Sequence, residues 1–185
     1  FASLLPRKTR VEKLTVENAS IRFPEIPGQP QRPEARRVRL SIRPIGSDYS
    51  EGVTITGSQG ELRTPSGKRL TLLDFEGKWR NHTFFLTDSA ADIKGSDGAR
   101  VECTGEINTS ESGAPNLELD VELSGLNISE IVAPDWKQRL SGELDAQVSI
   151  SGPADESIQS GTVTLSSGTI QTLPLLERLA EYTGH

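Results

Sequence analysis

Short segments in which apolar and polar residues alternate recur along the whole chain. Between Leu117 and Leu123 every odd-numbered residue is Leu or Val and every even-numbered one is Glu or Asp. Between Leu144 and Ile150 the even-numbered residues are apolar and their neighbours are polar. Because successive side chains of a strand point to opposite faces, this spacing predicts two strands, each with one apolar and one polar face.

Weaker alternation predicts further strands spaced by about 8–12 residues, which is typical of an all-β protein. We expect Glu17-Asn18 to form a turn or bulge, Ser58-Gln-Gly60 to form a turn, and Ser166-Ser-Gly168 to form a short hairpin loop. The weaker segments are 8–16, 19–23, 37–42, 53–55, 60–64, 68–76, 78–81, 83–87, 90–94, 100–107, 162–165 and 169–173.

Helices are expected to be few. One helical turn is predicted over 129–133, where Pro134 would stop it, and a short helix over 175–182. The Pro-rich segment 24–36 predicts an extended loop. The fold class is therefore all-β, mainly antiparallel, with amphipathic strands that form a curved sheet, partial trough or sandwich, and with one or two short helices.

Composition agrees with a sheet that has one wet face. Hydrophobic residues make up 34% of the chain and aromatic residues 5%. A fully buried helical core would need more apolar residues, whereas a strand with one solvated face can be polar at every second position. The pattern and the composition favour the same architecture.

Charge and residue usage exclude some functions. A net charge of -6 argues against general nucleic-acid binding. The chain lacks Met, begins with Phe1 and has no apolar run long enough for a membrane span, so we expect any targeting or anchoring element to lie upstream. Cys103 is the single cysteine, and its place beside Val101 on one strand face predicts a small buried side chain.

Candidate catalytic and metal-binding groups are scarce. His82, between two predicted strands, is interpreted as a solvated turn residue, and His185 ends the chain. No Cys/His cluster has metal-ligand spacing, and the Gly-rich pieces lack the Gly-Lys-Ser/Thr ending of phosphate-binding loops. We expect no catalytic residues, no metal and no cofactor.

An arginine-rich stretch, 32–43, places Arg37, Arg39 and Arg43 on the polar side of one predicted strand. Two interpretations stay open for these three side chains. They pair with acidic residues of neighbouring strands, or they contact anionic lipid headgroups.

The C-terminal third resembles the C-terminal region of AsmA-like proteins, which belong to the AsmA/TamB superfamily. The shared layout is a strand ending in Leu-Ser-Gly125, a short helical segment, Leu140-Ser-Gly-Glu-Leu, and a strand ending in Ile-Ser-Gly152. It continues with Ser160-Gly-Thr-Val-Thr-Leu, Gly168-Thr-Ile and Leu173-Pro-Leu-Leu. The likeness covers residues 117–183 most clearly, and 1–185 is interpreted as one AsmA-like segment of a longer envelope protein.

The resemblance implies a periplasmic protein anchored in the inner membrane by an N-terminal helix outside this sequence. It implies a non-enzymatic role in outer-membrane biogenesis or in phospholipid transport between membranes, through an apolar β-sheet groove. Phospholipid or another acyl lipid would be the partner, and an open strand edge would invite self-association. The candidate groove residues, which could equally be ordinary core, are Leu117, Leu119, Val121, Leu123, Leu144, Val148, Ile150, Val163 and Leu165.

Two alternatives from other classes remain. A surface-exposed β-sandwich that serves in interaction or adhesion would need exposed aromatic anchors, and the chain has 2 Trp, 2 Tyr and 5 Phe. A β-rich hydrolase would need a nucleophile–base pair, for which His82 is the available base.

Overall fold

A computed structural model describes residues 11–22, 31–46, 51–64, 67–109, 114–132, 136–137 and 139–170. These residues form ten β-strands and little helix, which confirms the all-β, antiparallel fold class. The strands are β1 Leu14–Arg22, β2 Glu34–Pro44, β3 Val53–Ser58, β4 Glu61–Arg63, β5 Arg69–Arg80, β6 Thr83–Ile93, β7 Arg100–Asn108, β8 Asn116–Asn127, β9 Leu140–Pro153 and β10 Ile158–Ile170.

All ten strands belong to one antiparallel sheet. Its order is β1-β2-β3-β5-β6-β7-β8-β9-β10, and the short β4 lies beside β3 because both pair with β2 and β5. Neighbours in sequence are thus neighbours in space along the whole sheet. Within the described residues no second sheet lies over this one, so the architecture is a single layer rather than a sandwich.

The strongly alternating segments form the most regular part of the sheet. β7 and β8 pair without interruption from Arg100 opposite Ser124 to Asn108 opposite Asn116. β8 continues onto β9 with Val121 opposite Val148. An uninterrupted register keeps each side-chain set on its own face, so the predicted amphipathic strands are confirmed here.

Several short predicted strands are joined into longer ones. Segments 68–76 and 78–81 are both part of β5, and segments 83–87 and 90–94 are both part of β6. Their pairing shifts register between Leu72 and Asp74 and again between Glu76 and Gly77. A β-bulge interrupts the alternation without ending the strand. The described residues therefore form ten strands, fewer and longer than the fourteen alternating segments predicted.

The predicted hairpin loop at 166–168 was also wrong. β10 runs unbroken through it and pairs with β9 on both sides, with a register shift between Ser166 and Thr169. Ser167 has a positive φ of 52°. Ser and Gly residues that favour tight turns also favour bulges, because both need a left-handed residue. The predicted turn at 58–60 likewise leaves β3 and β4 in line, with Gln59 at φ 60°.

Other expected features are placed as follows. The bulge at 17–18 is confirmed, because Asn18 has φ 55° and the β1–β2 register shifts between Val16 and Ala19. The expected turn near 129–133 is a 3-10 helix, Ile128–Glu130, in which the Asn127 side chain accepts a hydrogen bond from the Ser129 N–H. β2 begins at Glu34, inside the predicted loop 24–36, and the predicted helix 175–182 lies outside the described residues.

Little of the described chain is fully buried. The buried apolar residues are Ala35, Val38, Ala90, Ala91, Ala99 and Leu126, and Val38 is the largest fully buried side chain. The main contacts between elements join neighbouring strands, apart from those of the 3-10 helix with β9. The sheet is therefore held by its ladders and by side chains that cover one another along one face, since no thick core is present in the described part.

Candidate functional site

The register brings the predicted groove residues onto one face of β8, β9 and β10. Leu119 lies opposite Ile150, and Val121 lies opposite Val148. Directly opposite residues of antiparallel strands project to the same side. Beyond β9, Ala146 faces Val163 and Leu144 faces Leu165, which adds β10 to the same face. All of the predicted set thus lies on one continuous surface, which we call the apolar face.

The apolar face extends across every strand of the sheet. Cys103 continues it onto β7 opposite Val121, and Phe84 of β6 lies opposite Ile107 of β7. The members that the sequence reasoning missed come mainly from β1–β7, where bulges interrupt the period of two. They are Leu14, Val16, Leu40, Ile42, Val53, Ile55, Leu70, Leu72, Phe75, Trp79, Phe84, Leu86, Val101 and Ile107.

The size of this face follows from the strand count. The strands occupy nine positions across the sheet, because β3 and β4 share one. Eight spacings of about 4.8 Å give a width of about 38 Å. A monomeric protein rarely exposes an apolar patch of more than a few hundred Å², and larger ones mark a binding surface. The apolar face is therefore the main functional candidate of the molecule.

Aromatic rings cover two glycines in the middle of the apolar face. A Cβ built on Gly57 would lie 1.9 Å from Phe75 Cε1, and one on Gly77 would lie 2.3 Å from Phe84 Cζ. Both rings therefore rest where a side chain of the neighbouring strand would stand. Each glycine removes a side chain that would lift the ring away, so this part of the face is flat and aromatic.

The side chains of the apolar face are only partly covered. None of the predicted groove residues is buried, and Val163 on β10 is 64% exposed. Val16 and Trp79 are 36% and 37% exposed. Such exposure is unlike a closed core, where large aliphatic side chains lose nearly all contact with water. The face is open to solvent within the described part of the chain.

The opposite face carries most of the charge, and its β7–β9 part is acidic. Glu102 lies opposite Glu122, and Glu106 lies opposite Glu118. Like charges directly across a ladder are destabilising, so these pairs lower the stability of the sheet. A depression of about 450 Å³ on this side is lined in part by Glu102, Asp120 and Glu122. Its acidic lining does not suit an acyl chain.

Two of the three predicted headgroup arginines are paired with carboxylates. Arg39 Nη2 lies 2.6 Å from Glu17 Oε1 of β1, and Arg37 Nη2 lies 2.8 Å from Glu61 Oε1 of β4. The Arg39 contact lowers the pKa of Glu17 below its usual value, and hydrogen bonds from Lys94 and from Arg37 lower the pKa of Glu61. Cross-strand pairing, one of the two interpretations, therefore describes Arg37 and Arg39. Arg43 makes no ion pair within the described residues.

The other candidate chemical groups occupy ordinary structural positions. His82 is exposed in the two-residue turn between β5 and β6, where Asn81 has φ 48° and His82 has φ 62°. Two left-handed residues are the signature of a type I′ hairpin. Burial, with a smaller contribution from Asp120, raises the pKa of the Cys103 thiol. Among the described residues no group of three His, Cys, Asp or Glu side chains is placed to hold a metal.

Within the described ranges, the structure contains no helix that is long and apolar enough to cross a membrane. Searches against family models, curated proteins and solved structures return no match for this chain. The AsmA-like resemblance therefore remains an expectation drawn from the motifs of residues 117–183.

Proposed function

We propose that this chain is a non-enzymatic segment of a cell-envelope protein that holds lipid acyl chains against the apolar face. The observation that carries the proposal is a single-layer sheet whose apolar side chains lie in one continuous, solvent-open surface. The AsmA-like motifs add the biological setting: periplasmic location, an inner-membrane anchor elsewhere in the protein, and phospholipid transport or outer-membrane assembly.

The energetics of the apolar face suit a transient acyl ligand. Full burial of a methylene is worth about 0.8 kcal/mol, and a chain that lies on a sheet buries about one side. A chain of about 15 methylenes would then gain roughly 6 kcal/mol before the cost of immobilising it. That gain is enough to hold a lipid and small enough to let it leave, as transport requires.

The dimensions also suit such a ligand. β8 has 12 residues, and a strand of this length spans about 40 Å at about 3.3 Å per residue. One leaflet of a bilayer core is about 15 Å thick, half of the total of about 30 Å. An acyl chain therefore fits within the apolar face in any orientation, and successive chains could lie side by side across the strands.

The adhesion-module alternative receives less support. A β-sandwich needs a second sheet to cover the apolar side chains, and the described residues form one sheet. An interaction module would also need aromatic anchors on its exposed polar side. Phe75 and Phe84 rest on glycines of the apolar face, and Phe85, opposite Lys78, is the one aromatic side chain on the polar side of the described strands.

The single cysteine allows the two faces to be compared directly. Cys103 projects from the apolar face opposite Val121, and Thr104 projects from the polar face opposite Asp120. An environment-sensitive fluorophore would be attached to Cys103 in the parent chain, and to residue 104 in a Cys103→Ser, Thr104→Cys variant. Each labelled protein would be titrated with phospholipid whose acyl chains carry bromine, a short-range quencher.

We expect quenching and a blue shift for the probe at position 103 and unchanged emission at position 104. Phospholipid should also co-purify with the chain and be released by solvent extraction. Equal quenching at both positions, or none at either while no lipid co-purifies, would contradict binding to the apolar face. The matched labels differ by one residue, so a general effect of lipid on the fluorophore cannot produce the expected difference.

A further inference from the structure

One end of the sheet gathers three cations that make no ion pair within the described residues. Arg43 of β2 lies opposite Thr54 of β3, which lies opposite Lys78 of β5. Arg80 is two residues further along β5 and so projects from the same side as Lys78. The three cations thus occupy neighbouring positions on the polar face, next to the hairpin that joins β5 and β6. We call Arg43, Lys78 and Arg80 the cationic corner.

Five other basic groups in this half of the sheet are paired. Arg22, Arg36, Arg37, Arg39 and Lys94 each lie within ion-pair distance of Glu17, Glu34 or Glu61. The cationic corner makes no ion pair within the described residues, and its three side chains are exposed. Arg63 and Arg69, which lie opposite each other at the far strand ends, resemble the cationic corner in making no ion pair in the described part of the chain. Arg43 lies two strands from Lys78, and Lys78 and Arg80 share one side of β5, so the three charges add to a local positive potential that favours an anionic partner.

The apolar face ends at the same corner in a cross-strand row that contains two aromatic residues and that we call the Trp79 row. Pro44 lies opposite Val53, Val53 opposite Trp79, and Trp79 opposite Phe84. Trp79 is 37% exposed although it belongs to the apolar face. Trp and Phe at the rim of an apolar surface are suited to a membrane–water interface, since an indole has an apolar body and a polar N–H.

The charge distribution changes across the strands from positive to negative. The acidic pairs Glu102–Glu122 and Glu106–Glu118 lie on β7 and β8, and Glu106 is separated from Lys78 by Phe85 of β6, so the acidic surface begins two strands beyond the corner. An anionic surface would repel that part of the sheet and attract the corner. The net charge of -6 keeps the rest of the molecule off the surface, so a local contact is expected rather than flat adsorption.

We propose that the cationic corner docks on the anionic surface of a phospholipid bilayer and places the Trp79 row at its headgroup level. The apolar face would then open directly onto the acyl region at the strand ends that include Arg80 and Thr83. This inference rests on the proposed lipid-handling function and adds to it the end of the sheet through which lipid passes.

Vesicle binding tests the proposal. Sedimentation would compare vesicles of neutral phosphatidylcholine with vesicles that contain one quarter phosphatidylglycerol, at low and at moderate salt. The test variant carries Arg43→Gln, Lys78→Gln and Arg80→Gln. The control carries Lys68→Gln, Arg69→Gln and Arg139→Gln, which remove the same charge at the opposite strand ends and also touch no ion pair in the described chain.

We expect salt-sensitive binding to the anionic vesicles alone. Each removed cation should weaken it about fivefold, so the test variant should lose on the order of a hundredfold while the control changes little. Equal loss in both variants, or equal binding to neutral vesicles, would overturn the proposal. Binding to heparin that the vesicles do not displace would also overturn it, in favour of a soluble polyanion.

The Trp79 emission gives a second readout that is independent of charge. In a Trp136→Phe background, Trp79 is the remaining tryptophan, and its emission should shift to the blue when anionic vesicles bind. Vesicle binding without that shift would contradict the docked orientation. In the test variant, brominated lipid supplied in detergent micelles should still quench a probe attached to Cys103. Failure of docking and failure of the apolar face as a lipid site are therefore distinguishable.

Discussion

Gly57 lies directly under the ring of Phe75, and replacing it with alanine tests whether this contact stabilises the sheet. The new Cβ would lie 1.9, 2.5 and 2.6 Å from three carbons of the ring. Carbon atoms in contact prefer about 3.5–4.0 Å, so the ring must move by roughly 1.5–2 Å. No positive φ is associated with Gly57, so its backbone accepts an alanine and the ring contact decides the outcome.

The expected magnitude combines two opposing effects. Overpacking a well-filled site costs about 1–3 kcal/mol. Alanine is favoured over glycine in a strand by about 0.5–1 kcal/mol, because it lowers the entropy of the unfolded chain. Gly57→Ala should therefore lower the free energy of unfolding by about 1–2 kcal/mol. In a Phe75→Ala background the same change should raise it by about 0.5–1 kcal/mol.

Urea unfolding, followed by far-ultraviolet circular dichroism, would measure the four members of this double-mutant cycle. The expected coupling energy between residues 57 and 75 is about 2 kcal/mol. Gly77 offers a contrast, because its added Cβ would meet Phe84 Cζ at 2.3 Å and also the backbone oxygen of Phe85 at 2.9 Å. Gly77→Ala should stay destabilising after Phe84→Ala. If Gly57→Ala costs the same with and without Phe75, the ring contact does not determine the effect of the substitution.

Three further predictions concern the strand ends and the sheet edge. Hydrogen bonds and charge interactions with Lys94 and Arg37 lower the pKa of Glu61, so its contribution to the free energy of unfolding is full above the usual glutamate pKa and is lost as the pH falls through the lowered value. The difference in stability between the parent and Glu61→Gln, measured by urea unfolding, should therefore shrink towards zero on acidification. A difference that stays constant with pH would contradict the pairing. His82 occupies the second left-handed position of its turn, a conformation that costs a non-glycine residue about 1–2 kcal/mol. After the entropic cost of glycine is subtracted, His82→Gly should stabilise the protein by about 0.5–1 kcal/mol and raise the midpoint of thermal unfolding, whereas His82→Ala should not. β10 pairs with β9 alone in the described sheet, so we expect concentration-dependent association in sedimentation velocity that Val163→Lys reduces; an unchanged association constant would place the contact elsewhere.

The sequence predicted the strands best where alternation runs without interruption. In β8 and β9 each apolar residue is followed by a polar one, and this local pattern suffices to define both the strand and its apolar side. The AsmA-like resemblance and local alternation together selected the β8–β10 part of the apolar face. They could not decide whether those residues form a closed core or an open surface, since that depends on which elements pack on the sheet.

The partners of the arginines also depend on tertiary structure. Arg37, Arg39 and Arg43 look equivalent in the sequence of β2, yet Arg37 has φ 58° and the three residues face different neighbours on the adjacent strands. Only the pairing of separate strands brings Glu17 and Glu61 to two of these arginines and places Arg43 in one cross-strand row with Lys78, on either side of Thr54. Residues far apart in sequence become partners through the register, which local sequence does not contain.

The amphipathic strands, the sign of their charges and the lack of a helical core follow from composition and from a period of two, which can be recognised in the sequence alone. The register and the bulges at Arg37 and Ser167 depend on how the strands pair, whereas the bulge at Asn18 was predicted from the sequence. A slip of one residue moves every side chain to the other face. The bulges restore the phase each time the alternation breaks, and this is why apolar residues of nine strand positions meet on one open face.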